Sequence, residues 1–139
     1  MNKALLKSLL AVLFAAAALS LSAEPALLGH KALGGQSLDS EAVKAVLLGK
    51  KVALGDTRVV IVIAKSGAGQ DAFLQSHVGM TTSQFQNHWR RLFMTGGGSA
   101  PKIVETEADA AKLAAETPGA VVIADAAAAT GLAVLAAGK

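Results

Sequence analysis

Five consecutive β-branched residues, Val59-Val60-Ile61-Val62-Ile63, run without polar alternation. A strand with one solvent face alternates apolar and polar side chains. A strand without that alternation needs cover on both faces, as in a sheet lying between helices. The flanking residues fit such a layer. Gly55-Asp56 marks a turn before the run, and Ser66-Gly67-Ala68-Gly69 is a loop after it. A helix then spans about Gln70 to His77, carrying Phe73 and Leu74, with Gly79 behind it.

The rest of the chain alternates in the same way. Ala26 to Leu33 is a candidate first strand. Asp39 is a good N-cap for a helix to about Leu48, with Leu38 and Val43 placed as a hydrophobic staple and Val43, Val46 and Leu47 as its buried stripe. Thr81 to Gly98 holds the one tryptophan and two of the four phenylalanines. Thr81 and Gln84 have capping-box spacing, and glycines stop the helix. Phe85, His88, Trp89, Leu92 and Phe93 recur at helical spacing and form its apolar face, leaving Arg90 and Arg91 to solvent. Pro101 to Glu105 is a short strand. Thr106 caps a helix from Glu107 to about Glu116, whose Glu107 and Asp109 suit the helix dipole. Ala120 to Ala124 and Leu132 to Leu135 are further strands, and Asp125 to Thr130 has no clear assignment. Strands alternating with helices imply an α/β layer fold, a mixed sheet flanked by helices.

The N-terminus reads differently. Lys3 and Lys7, an apolar stretch from Leu9 to Leu19 and Leu21-Ser22-Ala23 have the layout of a signal peptide over residues 1–23, ahead of one domain over residues 24–139. The expected product is soluble and periplasmic. The chain has no cysteine, so no disulfide framework is expected. Two of its 13 basic residues belong to the leader, which leaves the remainder close to neutral against 10 acidic residues. That balance gives no electrostatic footprint for nucleic acid.

Chemistry concentrates in the loop Lys65-Ser66-Gly67-Ala68-Gly69-Gln70. It follows the strongest strand and opens a helix. Gly67, Gly69 and Ala72 satisfy a G-x-G-x-x-A pattern, but the acidic strand end about 20 residues on is replaced by the Trp89 helix, so a dinucleotide cofactor is not expected. What remains is an anion site. Backbone N–H groups at a helix start favour negative charge, and Ser66 and Lys65 add a hydroxyl and a cation. His30, His77 and His88 lack metal-ligand spacing, and Glu105, Glu107 and Asp109 sit where acids cap helices. Ser66 is not in a nucleophile elbow. No enzyme signature is present and neither a metal nor an organic cofactor is expected.

Taken in order, these segments resemble phosphate-binding-protein-like domains of ABC transport systems. Leu38 to Lys50 (LDSEAVKAVLLGK) is similar to their opening helix. Val59 to Phe73 resembles their strand, loop and helix ending in phenylalanine. Phe85 to Gly96, with W-x-x-x-x-M-T-G, resembles their W-x-x-x-x-F-T-G segment, and Pro101 and then Thr117-Pro118-Gly119-Ala120-Val121 resemble their later proline and T-P-G-A-I-G-Y strand. The resemblance implies a single domain corresponding to one lobe of a type II periplasmic binding protein. It implies phosphate or another small oxyanion as ligand, held by Lys65, Ser66, Gly67, Ala68, Gly69 and Gln70. In the family's larger members an arginine and a Ser-Gly-Thr at a helix start contact phosphate; here the loop carries Lys65 and lacks the threonine. The partners implied are an ABC-type permease or a sensor kinase. The competing expectation is an interaction module of the same fold without a ligand, acting on such a membrane partner or as a homodimer.

Overall fold

The computed structural model describes residues 24–96, 100–128 and 131–137. The expected leader, Gly97-Gly98 and Thr130 lie outside them. In chain order the elements are β1 (Pro25–His30), a 3₁₀ turn (Lys31–Leu33), α1 (Ser40–Leu47), β2 (Ala53–Leu54) and β3 (Thr57–Arg58). They continue with β4 (Val60–Ala64), α2 (Ala68–His77), α3 (Thr82–Met94), β5 (Lys102–Val104), α4 (Glu107–Glu116), β6 (Ala120–Asp125), a second 3₁₀ turn (Ala126–Ala128) and β7 (Leu132–Ala136).

The β-branched run forms β4, and its residues Ile61, Val62, Ile63 and Ala64 are all buried. The sheet has the order β5-β4-β6-β1-β7. β5 and β6 flank β4 in parallel, whereas β1 is antiparallel to both β6 and β7. Odd and even residues of β4 and β6 face opposite layers. Ile61, Ile63, Val121 and Ile123 pack with α1, α2 and α3 through Val43, Val46, Leu47, Phe73, Leu74, Phe85 and Trp89. Val62, Ala120, Val122 and Ala124 pack with α4 through Ala110, Ala111 and Ala114. The path from β4 to β5 carries α2 and α3 on one face. The return from β5 to β6 reverses direction across the sheet and carries α4 on the other face, as a constant crossover hand requires. The chain therefore turns both ways from β4, and the carboxyl ends of β4 and β6 face the starts of α2 and α4.

Local signals set most of the helix starts. Asp39 Oδ1 accepts from the Ala42 N–H at 2.8 Å, and Thr106 Oγ1 from the Asp109 N–H at 3.1 Å. Thr81 and Gln84 form both halves of a capping box. The end of α1 is closed by tertiary structure. Trp89 Nε1 donates to the Leu47 carbonyl at 2.9 Å, and His88 Nε2 lies 3.1 Å from the Leu48 carbonyl. Two of the carbonyls that a helix end leaves without an internal partner are met in this way. Gly49 completes the junction: its φ is +83°, and a Cβ there would lie 2.7 Å from the Trp89 ring.

Three expectations need correction. The apolar face of α3 is narrower than the spacing suggests: Phe85 and Trp89 are buried, but Phe93 is 57% exposed. The stripe wraps beyond the width that the sheet and α1 cover. The first strand stops at His30, because the next three residues tighten into a 3₁₀ turn whose Ala32 N–H is accepted by His30 Nδ1. The turn at Gly55-Asp56 joins a two-stranded hairpin, β2–β3, that the sequence reading does not contain.

Candidate functional site

The residues singled out by sequence, Lys65 to Gln70, lie together at the end of β4 and the start of α2, where ligands bind in open α/β sheets. Gly67 is the N-cap and offers no side chain to the first turn. An uncapped helix start leaves N–H groups open to an acceptor. The Gln70 N–H has one: Oε1 of Glu107, at 3.0 Å. Glu107 is the first residue of α4, which the sheet brings beside α2 from 37 residues away. Glu107 sits in the first turn of its own helix, as expected, and its carboxylate also caps the neighbouring helix. The Ala68 and Gly69 N–H groups make no hydrogen bond among the described residues.

The glycines make this approach possible. A Cβ on Gly67 would collide with the Glu107 carboxyl group, and one on Gly69 would lie 3.0 Å from its Oε1. Beside them, α2 and α4 leave a crevice of about 570 Å³ floored by Pro25, Ala68, Ala72, Ala108, Ala111 and Ala124. Glu107 and Asp125 also line it. Asp125 is held in place by its Oδ1, which accepts from the Ala127 N–H at 2.9 Å.

The six predicted contacts divide. Ser66 is exposed, and the Gly67–Gly69 backbone is at the surface of the site. Lys65 turns toward Glu105, its Nζ 2.7 Å from Oε1, in an ion pair that solvent screens on both sides. The Gln70 side chain is not a ligand group. It is fully buried, its Oε1 accepts from the Ala64 N–H, and its Nε2 donates to the Ala64 carbonyl, all at 2.9 Å. Nε2 also donates to Thr82 Oγ1 at 3.1 Å, and Thr82 in turn donates to Asp71 through its hydroxyl and N–H. Those two bonds hold the Asp71 carboxyl below its ordinary range. This chain of bonds ties the end of β4 to α2 and α3. Only the Gln70 N–H faces the site, and Glu107 takes it.

The histidines do not converge. His30 serves the 3₁₀ turn, His88 serves the end of α1, and His77 stacks on Phe73 with ring centroids 4.2 Å apart. Among the described residues no group of three or more His, Asp or Glu could hold a metal ion, and no helix is long and apolar enough to cross a membrane.

No family model matches the chain, and neither does any curated protein sequence. Its fold is similar to that of an ABC-type phosphate transport receptor from Vibrio cholerae, with a TM-score of 0.59 and 11% sequence identity. The similarity covers 81% of this chain and 45% of the receptor, so the chain spans less than half of that protein's length. The mixed five-stranded sheet with its helices is thus similar in fold to a part of that receptor.

Proposed function

We propose that the chain is an exported binding-protein lobe that takes a small oxyanion, phosphate in the first instance, at the start of α2 in exchange for its own Glu107 carboxylate. One observation carries this reading. A carboxylate is already seated against the Gln70 N–H, with the Ala68 and Gly69 N–H groups open beside it and glycine at 67 and 69 giving room for close approach. That is the environment an oxyanion seeks at a helix start. The seated carboxylate also sets the strength of binding. Two unit charges about 5 Å apart repel by about 1–3 kcal/mol at effective dielectric constants of roughly 80 to 20. Native affinity is therefore weak, and relief of the repulsion strengthens it by about five- to hundredfold. A single lobe leaves the anion partly in water, which limits affinity further.

The test is calorimetric titration with phosphate and sulfate of protein recovered after expression of the full chain. Glu107→Gln keeps an acceptor for the Gln70 N–H and removes the charge, so it binds phosphate more tightly than the native protein. Ser66→Ala in that background weakens the gain. Silence of both the native protein and Glu107→Gln refutes oxyanion binding. A mass corresponding to a chain that starts at Glu24 checks export in the same sample. The competing reading is a ligand-free interaction module for an ABC-type permease, a sensor kinase or a second copy. It draws on the exposure of Phe93, Met94 and Ile103, at 57%, 78% and 49%.

A further inference from the structure

We propose that Leu19 and Leu21, while residues 1–23 remain attached to Glu24, dock in the crevice between α2 and α4 and cover the start of α2. The crevice exists because the side chains that face each other across it are small: Ala68 and Ala72 on α2, Ala108 and Ala111 on α4. Each helix contributes about one turn of wall, roughly 6 Å long. Alanine walls leave a space of about 570 Å³ with a mainly apolar lining. Larger apolar side chains from elsewhere in the chain would fill it.

The place where the chain enters the sheet sets the occupant. β1 is antiparallel to β6, with Pro25 opposite Asp125, so β1 begins at the sheet end that carries the starts of α2 and α4. The Glu24 carbonyl accepts from the Ala126 N–H at 2.9 Å, which holds the residue before the strand beside the end of β6. Pro25 itself lines the crevice, and its Cβ lies 3.6 Å from the place of a Cβ on Gly69. Leu19-Ser20-Leu21-Ser22-Ala23 therefore leads into Glu24 at the crevice rim. At about 3.3–3.6 Å per residue, Leu21 reaches up to about 14 Å from Pro25, more than twice the length of either wall. The charged residues that line the crevice, Glu107 and Asp125, are both acidic. Ser8 to Ala23 carries no charged side chain, and Lys7 and Lys3 before it are basic, so the segment brings no like charge to them. Attachment at Glu24 also holds it at a local concentration on the order of millimolar, which a free peptide of the same composition lacks. Docking covers Ala68, Gly69 and Glu107, so residues 1–23 keep the oxyanion place shut and their removal opens it. That last consequence rests on the function proposed above; the docking does not.

The chain has no cysteine, so a pair of introduced cysteines reports one proximity. The full chain is made by cell-free synthesis, which retains residues 1–23, and is mildly oxidised. Leu21→Cys is combined either with Ala108→Cys, on the crevice wall, or with Ala127→Cys. Ala127 is exposed, adjoins the Glu24–Ala126 hydrogen bond and does not line the crevice, so it controls for simple closeness to the attachment point. The pair with Ala108→Cys forms a disulfide within one chain at least tenfold faster than the pair with Ala127→Cys. Leu19→Ser in the segment and Ala72→Glu on the opposite wall each slow it at least threefold and leave the Ala127→Cys pair unchanged. Equal rates for the two pairs, rates indifferent to Leu19→Ser and Ala72→Glu, or a disulfide between two copies overturns the docking. Phosphate titration of Glu107→Gln, with residues 1–23 retained and in the exported, processed form, separates the two proposals. Tight binding by the processed form alone supports both. The fast disulfide with no phosphate binding by either form supports the docking and refutes the oxyanion reading. Phosphate binding of equal strength by both forms overturns the docking.

Discussion

Gln70 is where a binding role and a folding role part most sharply. Its side chain makes three buried hydrogen bonds, two of them to the backbone of Ala64 at the end of β4. In Gln70→Ala the Ala64 N–H and C=O lose their partners inside the protein, while Thr82 keeps its bonds to Asp71. Each buried backbone group left unsatisfied costs about 1–3 kcal/mol, so the substitution destabilises by about 2–6 kcal/mol before any cavity effect. That is a large share of the roughly 5–15 kcal/mol typical of a domain. Gln70→Glu separates the terms. It retains an acceptor for the Ala64 N–H but replaces the donor to the Ala64 carbonyl and buries a carboxyl group, so it also destabilises near neutral pH. Urea unfolding followed by Trp89 emission measures both. A loss below about 1 kcal/mol for Gln70→Ala, together with abolished phosphate binding, would return Gln70 to the ligand site and refute the folding role.

Trp89→Ala removes a buried ring and the hydrogen bond to Leu47, at a cost of about 3–5 kcal/mol by the usual scale for aromatic truncation. Trp89→Phe keeps most of the packing but orphans the Leu47 carbonyl, and falls between Trp89→Ala and native; circular dichroism in urea ranks the three, and a stable Trp89→Ala protein would show that α3 does not anchor α1. Asp71 gives a pH signature. The Thr82 hydroxyl, then its N–H, lower the Asp71 pKa from the ordinary value of 3.8. A lowered carboxyl contributes stability above its unfolded pKa and loses it as pH falls through the folded one. Thermal unfolding of the native protein therefore weakens below about pH 4 through Asp71, and Asp71→Asn removes that component; an unchanged acid slope would contradict it.

The parts of the fold that could be read from sequence are those set within a few residues. The β-branched run required two-sided cover, and Val62 and Ile63 bury on opposite faces. Asp39, Thr81 and Thr106 each cap a helix with an N–H three residues ahead. Strand order was not legible, because pairing of β1 with β6 and β7 depends on contacts roughly a hundred residues apart in sequence. Alanine blurred the rest. Ala110, Ala111 and Ala114 close one whole layer against Ala120 and Ala124, and small side chains give little contrast between a buried face and an exposed one. The two-residue strands of the hairpin are shorter than any periodic signal.

At the site the same division applies, with a sharper consequence. The loop after β4 reads as a candidate anion site from its glycines and position alone. Those features are equally consistent with an internal anion. Gly67 and Gly69 leave room for close approach to the first turn of α2, and the group that approaches is Glu107. Nothing local to Glu107 distinguishes it from an acid placed for its own helix dipole, since it occupies the first turn of α4 in either role. Only the return of the chain across β4 sets that turn against α2. A small-residue helix start that follows a buried strand therefore specifies a place for negative charge without specifying its source. In this chain the protein supplies one charge itself, so any external oxyanion must compete with a carboxylate tethered beside its binding place. On the proposed reading, that competition, more than the loop composition, decides whether the chain holds an oxyanion, and Glu107→Gln is the substitution that exposes it.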